Sequence, residues 1–113
     1  METGDRAGEA ADYGNMGILS QHLGEYVKAK RYYEKSLAIR MEIGDRAGKA
    51  TDYSRIGSVF WSLGEYVKAK EYHNKALAIR MEIGDRAGEG SCYGRLGTVF
   101  QSLGEYVIAK EYH

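Results

Sequence analysis

The eight residues Leu63-Gly64-Glu65-Tyr66-Val67-Lys68-Ala69-Lys70 also stand forty positions earlier, from Leu23 to Lys30. They return forty positions later, from Leu103 to Lys110, changed only at Ile108. A second block, Gly-Asp-Arg-Ala-Gly, begins at Gly4, Gly44 and Gly84. A fixed period within roughly 20–50 residues is the signature of a repeat array, whose units bury a common seam only by stacking. The repeats occupy residues 4–43, 44–83 and 84–113, the last truncated, within a single repeat domain over 1–113.

Composition narrows the function classes. Sixteen basic side chains balance sixteen acidic ones, so no long-range field steers the chain to nucleic acid or an anionic membrane. The apolar runs are too short to span a bilayer, and Met1-Glu2-Thr3 leads into the first repeat without an apolar signal segment. A single cysteine, Cys92, excludes an internal disulfide framework and fits a reducing compartment, so a cytoplasmic location is expected. Fifteen glycines without one proline look odd for a helical chain until their repeated positions give each a structural task.

The middle repeat shows what that task is. Gly44 suits the left-handed conformation that closes a helix, and Asp45 can accept hydrogen bonds from the free amides of the next. Ala50, Tyr53, Ile56, Gly57 and Phe60 then trace one face of a first helix reaching about Ser62. Leu63-Gly64-Glu65 is a break, with Gly64 at positive φ and Glu65 an anion at the start of the next helix. Tyr66, Ala69, His73, Ala76, Leu77 and Met81 carry a second helix ending before Gly84. Each repeat is thus predicted to be an antiparallel helical hairpin, with Gly57 at the closest crossing and Ala69 facing it. The third copy repeats the break at Leu103-Gly104-Glu105, which predicts a last helix from Glu105 to His113. That helix is shorter than the ~12–15 residues at which isolated helices become stable, leaving Tyr106, Val107 and Ile108 only partly covered.

Tyr53, Ile56-Gly57, Phe60, the Leu63-Gly64-Glu65-Tyr66 turn, Ala69 and Ala76 resemble the tetratricopeptide repeat, and the likeness runs through all three copies. Two features depart from the pattern: Met41 and Met81 stand where a proline usually closes the repeat, and the period is forty residues. The longer form, with its Gly-Asp-Arg linker, looks like the repeats of the Pins/LGN adaptors. The resemblance implies an all-α solenoid of antiparallel helix hairpins, a right-handed superhelix of about 2.75 repeats, with first helices lining a concave wall.

No catalytic constellation emerges. His22, His73 and His113 form neither an HxxxH nor an HExxH pair, so no metal site or cofactor is expected. His73 and His113 occupy the position of Tyr33, which predicts half-buried packing rings. The tyrosines recur with the period, as packing residues do and a nucleic-acid stacking platform need not.

In the proteins resembled, inner-wall positions lie one before, two after and five after the first-helix aromatic. Here these are Asp12, Asn15 and Ile18, then Asp52, Arg55 and Ser58, then Arg95 and Thr98 after Tyr93. Ala11, Thr51 and Ser91 lie two before it, and Trp61 and Gln101 extend the wall. Only Asn15 matches the asparagine expected of the Pins/LGN pattern, so that family's ligands are not carried over. The candidate binding residues are Asn15, Thr51, Arg55, Ser58, Trp61, Arg95, Thr98 and Gln101. Arg55 and Arg95 suit a peptide's carboxylates, with Trp61 as an anchor; alternatively they pair with Asp12, Asp52 or Glu89.

The function expected is a non-catalytic scaffold that holds a partner's peptide segment, with acidic character, in the concave groove. The alternative is a self-assembling module, excised from a longer array, whose ends stack or exchange helices in a homo-oligomer.

Overall fold

The computed structural model describes residues 5–111, with side chains through Tyr106. Five helices follow in chain order: α1 (Arg6–His22), α2 (Tyr26–Ile43), α3 (Arg46–Ser62), α4 (Tyr66–Glu82) and α5 (Arg86–Glu111). There is no strand among the described residues. The fold is an all-α solenoid in which each helix packs on the next along the chain.

Four turns set this order, and all four use one device. Gly24, Gly44, Gly64 and Gly84 adopt φ between 71° and 76°, and no other described residue has a positive φ. At each, two backbone bonds close the helix end. Gly64 N–H donates to Trp61 O at 3.0 Å and Glu65 N–H to Phe60 O at 2.9 Å, a Schellman pattern that satisfies the last carbonyls. Its copies use Gly24 with Glu25, Gly44 with Asp45 and Gly84 with Asp85.

The Gly-Asp-Arg-Ala-Gly block adds a cap. Asp45 Oδ1 accepts from the Gly48 amide at 2.9 Å, and Asp85 from Gly88 at 2.9 Å. The other oxygen of each carboxylate receives an arginine of the preceding helix, Arg40 at 2.8 Å and Arg80 at 3.0 Å. These arginine stems explain the second glycine of the block. A Cβ at Gly48 or Gly88 would lie 2.6 Å from Cδ of Arg40 or Arg80. Exposed pairs between Arg6 and Glu42, and between Arg46 and Glu82, repeat along the same edge.

Burial follows the helical stride, with Ala10, Gly14 and Gly17 on α1 and Ala50, Ile56, Gly57 and Phe60 on α3. The central cluster joins Ala29, Tyr33, Ile56, Val59, Phe60, Ala69 and Val99, drawn from four helices, so the seam is shared between hairpins. The Cα radius of gyration is 15.1 Å, larger than the about 13 Å of a globular domain this long, as stacking in one dimension requires.

Two expectations need correction. Gly57 does face a close crossing, but its opposite residue is His73 rather than Ala69: a Cβ there would lie 2.9 Å from Nε2 of that imidazole. Gly17 meets the Tyr33 ring in the same way, at 2.4 Å.

The second correction is larger. Leu103-Gly104-Glu105 does not break the chain; α5 runs through it to Glu111. Carrying Gly104 inside a helix costs only about 0.5–1 kcal/mol relative to alanine. Turning there would give up the continuous backbone bonding that α5 keeps from Glu105 to Glu111. The expected positions of Val107, Ile108 and His113 side chains lie outside what the structure describes.

Gly57→Leu is expected to lower stability by roughly 1–3 kcal/mol by forcing the His73 ring off the crossing. A chemical-denaturation midpoint equal to that of the unaltered chain would remove Gly57 from the contact.

Candidate functional site

The first helices turn Ile18, Arg55, Ser58, Arg95 and Thr98, each two or five residues after the repeated tyrosine, toward two adjoining hollows. Thr51, Arg55 and Ser58 of α3 and Arg95 of α5 line a hollow of about 800 Å³, together with Ile18, Gln21 and Ser54. A second hollow of about 290 Å³ adjoins it and is lined by Ser58, Trp61, Arg95, Thr98, Gln21 and His73. Six of the eight residues expected from the sequence therefore come together. Asn15 and Gln101 are exposed and line neither hollow; Gln101 reaches instead toward Glu105 at 3.5 Å.

Asp52, expected on the open wall, is 1% exposed. Its helix face is covered by α2, from which Ser36 Oγ donates to Asp52 Oδ2 at 2.6 Å. Burial pushes the Asp52 carboxyl above the ordinary range, against the hydrogen bond and the charge of Arg55. Asp12 at the same register is exposed, because no preceding hairpin packs over it among the described residues.

The two groove arginines, alike in register, sit in different surroundings. Arg55 Nη1 stands 3.7 Å from Asp52 Oδ1, and its guanidinium lies 5.8 Å from the centre of the Tyr33 ring. The pairing expected as an alternative thus holds for Arg55. Arg95 has no carboxylate in ion-pair range among the described residues, and donates from Nη1 to Ser58 Oγ at 3.1 Å. That leaves most of its fork of five donors available.

Other groove residues are also partly engaged. Trp61 Nε1 donates to Ser102 Oγ at 2.8 Å, leaving the indole face exposed. Thr51 Oγ1 receives Arg80 Nη2 at 2.8 Å. Arg80 was invisible to wall counting because it reaches the groove from the second helix, around the helix end. Gln21, whose Oε1 accepts the Tyr33 hydroxyl proton at 2.8 Å, was likewise missed; its first-helix position, matching Trp61, was the available signal.

His73 forms part of the smaller hollow's wall, 1% exposed, with Nδ1 lacking a hydrogen-bond partner. The sequence made it half-buried; the structure makes it fully buried. Burial, with the positive charge of Arg95 second, lowers its pKa to about 4. No group of three potential metal ligands is present among the described residues, and none of their helices is long and apolar enough to cross a membrane.

The family model for the tetratricopeptide repeat matches residues 8–82 and 50–113, so the chain belongs to that family. Such repeats generally serve as protein–protein interaction scaffolds and are typically non-catalytic. Among solved structures, BtubC (BKLC) from P. vanneervenii superimposes with a TM-score of 0.78 at 23% identity, over 90% of this chain. This chain spans 42% of the BtubC chain. The tetratricopeptide-repeat domain of Arabidopsis FLU superimposes with a TM-score of 0.70 at 19% identity, over 96% of this chain and 99% of that one. At these identities both likenesses show the fold alone. A search of curated proteins gave no match.

His73 gives the protein a pH dependence of definite sign. The folded state holds the imidazole neutral, so between about pH 6.5 and 4 the unfolded chain binds the extra proton. Its contribution to stability is complete above pH 6.5 and falls as the pH drops towards 4, by roughly 3 kcal/mol over that window. Asp52, with its raised value, acts in the opposite sense: its contribution is present in acid and lost as the pH rises through the folded pKa. His73→Tyr, which restores the ring found at Tyr33, is expected to flatten the acid-side loss. Urea midpoints of both proteins at neutral and mildly acidic pH measure it, and parallel losses would discount His73.

Proposed function

We propose that the groove receives an extended peptide segment of a protein partner and holds it through the segment's acidic side chains. The observation that carries this reading is Arg95, a groove guanidinium with hydroxyl contact only and no carboxylate beside it among the described residues. A planar fork matches a carboxylate in two parallel hydrogen bonds, and the walls of the groove screen it less than open water does. Trp61 supplies an exposed aromatic face for an apolar residue next to the acid, and Ser58 and Thr98 add hydroxyls that can bind peptide backbone. Arg55 sits in the same wall but is committed in part to Asp52 and Tyr33, so it takes the lesser share. On this reading the protein is a non-catalytic cytoplasmic adaptor. Its period of forty and Asn15 ally it with Pins/LGN-type repeats, without implying their ligands.

A fluorescently labelled peptide alternating glutamate and leucine should bind, and its lysine–leucine counterpart should not. Arg95→Glu should weaken the acidic peptide by about tenfold or more, as expected from loss of a charge-assisted hydrogen bond of roughly 1.5–3 kcal/mol. The melting temperature should stay unchanged. Equal binding of both peptides, or an Arg95→Glu protein that binds like the unaltered one, would overturn the assignment.

A further inference from the structure

In the first two repeats, a glycine of the first helix lies under a ring carried by the antiparallel helix that follows. Gly17 lies under Tyr33 and Gly57 under His73, while Phe60 packs on Tyr72 with ring centres 5.3 Å apart and is only 6% exposed. The same helix pairs are tied at one end by an ion pair, Arg6 with Glu42 and Arg46 with Glu82. Helix α5 carries the same parts at the same registers, as Gly97, Phe100 and Arg86. Here they are bare. Tyr93 is 56% and Phe100 55% exposed, and a Cβ at Gly97 would meet nothing within 4 Å. Arg86 has no carboxylate in ion-pair range among the described residues.

This face is complementary to itself. At about 100° per residue, Gly90, Tyr93, Gly94, Phe100 and Gly104 all project within about 60° of Gly97. Cys92, Leu96 and Val99, buried by the preceding hairpin, point to the other side. A Cβ at any of the four glycines would meet nothing within 4 Å, so the stripe is a furrow at backbone level beside two exposed rings. Two such helices can be laid antiparallel with Gly97 against Gly97. Tyr93 of one copy then comes level, within a residue, with Phe100 of the other, on the same side of the crossing. The glycines let the axes approach to about 8 Å, the near end of the usual range. Charge agrees with this register. Glu105, whose carboxylate receives Gln101 Nε2 at 3.5 Å, comes within three residues of Arg86 of the second copy. That offset is about 4.5 Å along the axis, inside the reach of an arginine side chain. A second α5 thus supplies the ring and the carboxylate that α2 and α4 supply to the other first helices.

We propose that this face joins two copies of the chain, α5 against α5, antiparallel about a two-fold axis at Gly97. The contact is isologous and closes after two copies, so it gives a dimer rather than a fibre. It also gives the unbroken α5 a purpose. Only a helix that continues through Leu103-Gly104-Glu105 carries Gly104 along the furrow and Glu105 to the second copy's Arg86. Arg95 projects about 160° away from Gly97, so the groove of each copy stays open. None of this depends on the groove reading, and the two are tested separately.

Light scattering of the unaltered chain, from micromolar to millimolar, should rise to twice the chain mass; a monomer throughout overturns the proposal. Gly97→Leu tests the crossing. Its side chain meets open space in the single chain, so helical circular dichroism and the melting of dilute protein should be kept. The dimer dissociation constant should rise about tenfold or more, because the axes are pushed apart. Dimerisation unchanged by Gly97→Leu places the contact elsewhere. For the ion pair, Arg86→Glu and Glu105→Arg should each weaken the dimer severalfold, and the two together should restore it. Weakening that simply adds in the double variant removes that pair from the contact. For the register, Gly94→Cys and Gln101→Cys are placed on separate chains, each also Cys92→Ala, then mixed and oxidised. A disulfide between the two variants is expected, and none within either alone. Absence of the mixed disulfide, or a link of residue 94 to residue 94, overturns the two-fold axis at Gly97.

Discussion

A helix ends only where its last carbonyls find other donors, and in this chain those donors are supplied by a residue in the left-handed conformation. Gly24, Gly44, Gly64 and Gly84 provide it, and each reversal folds the next helix back against the last. Without them the same sequence has every reason to continue: there is no proline, and alanine, leucine, lysine and glutamate dominate the second helices. Whether a glycine turns or stays helical is then decided by what the turn allows to be buried. At Gly64 the turn delivers α4, which buries Ala69, His73, Ala76 and Ile79. At Gly104 the same tripeptide remains helical, so local sequence permits the turn and packing selects it.

The crossing inside each hairpin shows the same division between permission and selection. Gly17 and Gly57 leave room for one ring, and the ring differs: Tyr33 in the first hairpin, His73 in the second. Tyrosine satisfies its hydroxyl by donating to Gln21, whereas the imidazole at the same site leaves Nδ1 unpartnered. A buried unpaired nitrogen is a cost of order 1–3 kcal/mol that the first hairpin avoids. Both rings sit where a Cβ on the facing glycine would come within 3.0 Å, so the crossing accepts either ring although their proton chemistry differs.

The fold was legible because a period of forty repeats every structural instruction: cap, break, crossing glycine and apolar stripe. Thr51, Arg55, Ser58, Trp61, Arg95 and Thr98 were legible as wall residues for the same reason, since one register in three copies makes one line down the solenoid. What periodicity could not supply was the neighbour. Asp12 and Asp52 share a register, yet only Asp52 has α2 laid across it with Ser36 as its partner. Arg80 belongs to a helix that counting assigns to the outside, and enters the groove because its stem wraps the glycine at residue 88. The fused α5 was hidden for a related reason: identical tripeptides carry identical local preferences, and the difference lies in what packs afterwards.

The same reasoning explains how near-identical units place one repeated residue in two different surroundings. Arg55 and Arg95 are copies of each other, so any difference between them must come from their surroundings. Beside Arg55 the residue three earlier is Asp52, and Tyr33 offers a ring face. Beside Arg95 the residue three earlier is Cys92, buried and uncharged, and the ring of the preceding hairpin is His73, whose protonation Arg95 itself disfavours. Ser58 offers a hydroxyl where the first copy has Ile18, which cannot accept a hydrogen bond. Replacing one carboxylate by a thiol therefore removes the ion pair that Arg55 has and leaves Arg95 without a carboxylate in range among the described residues. In a repeat protein, such differences need no new backbone: substitutions at fixed registers decide which copy of a shared residue is paired internally and which is not.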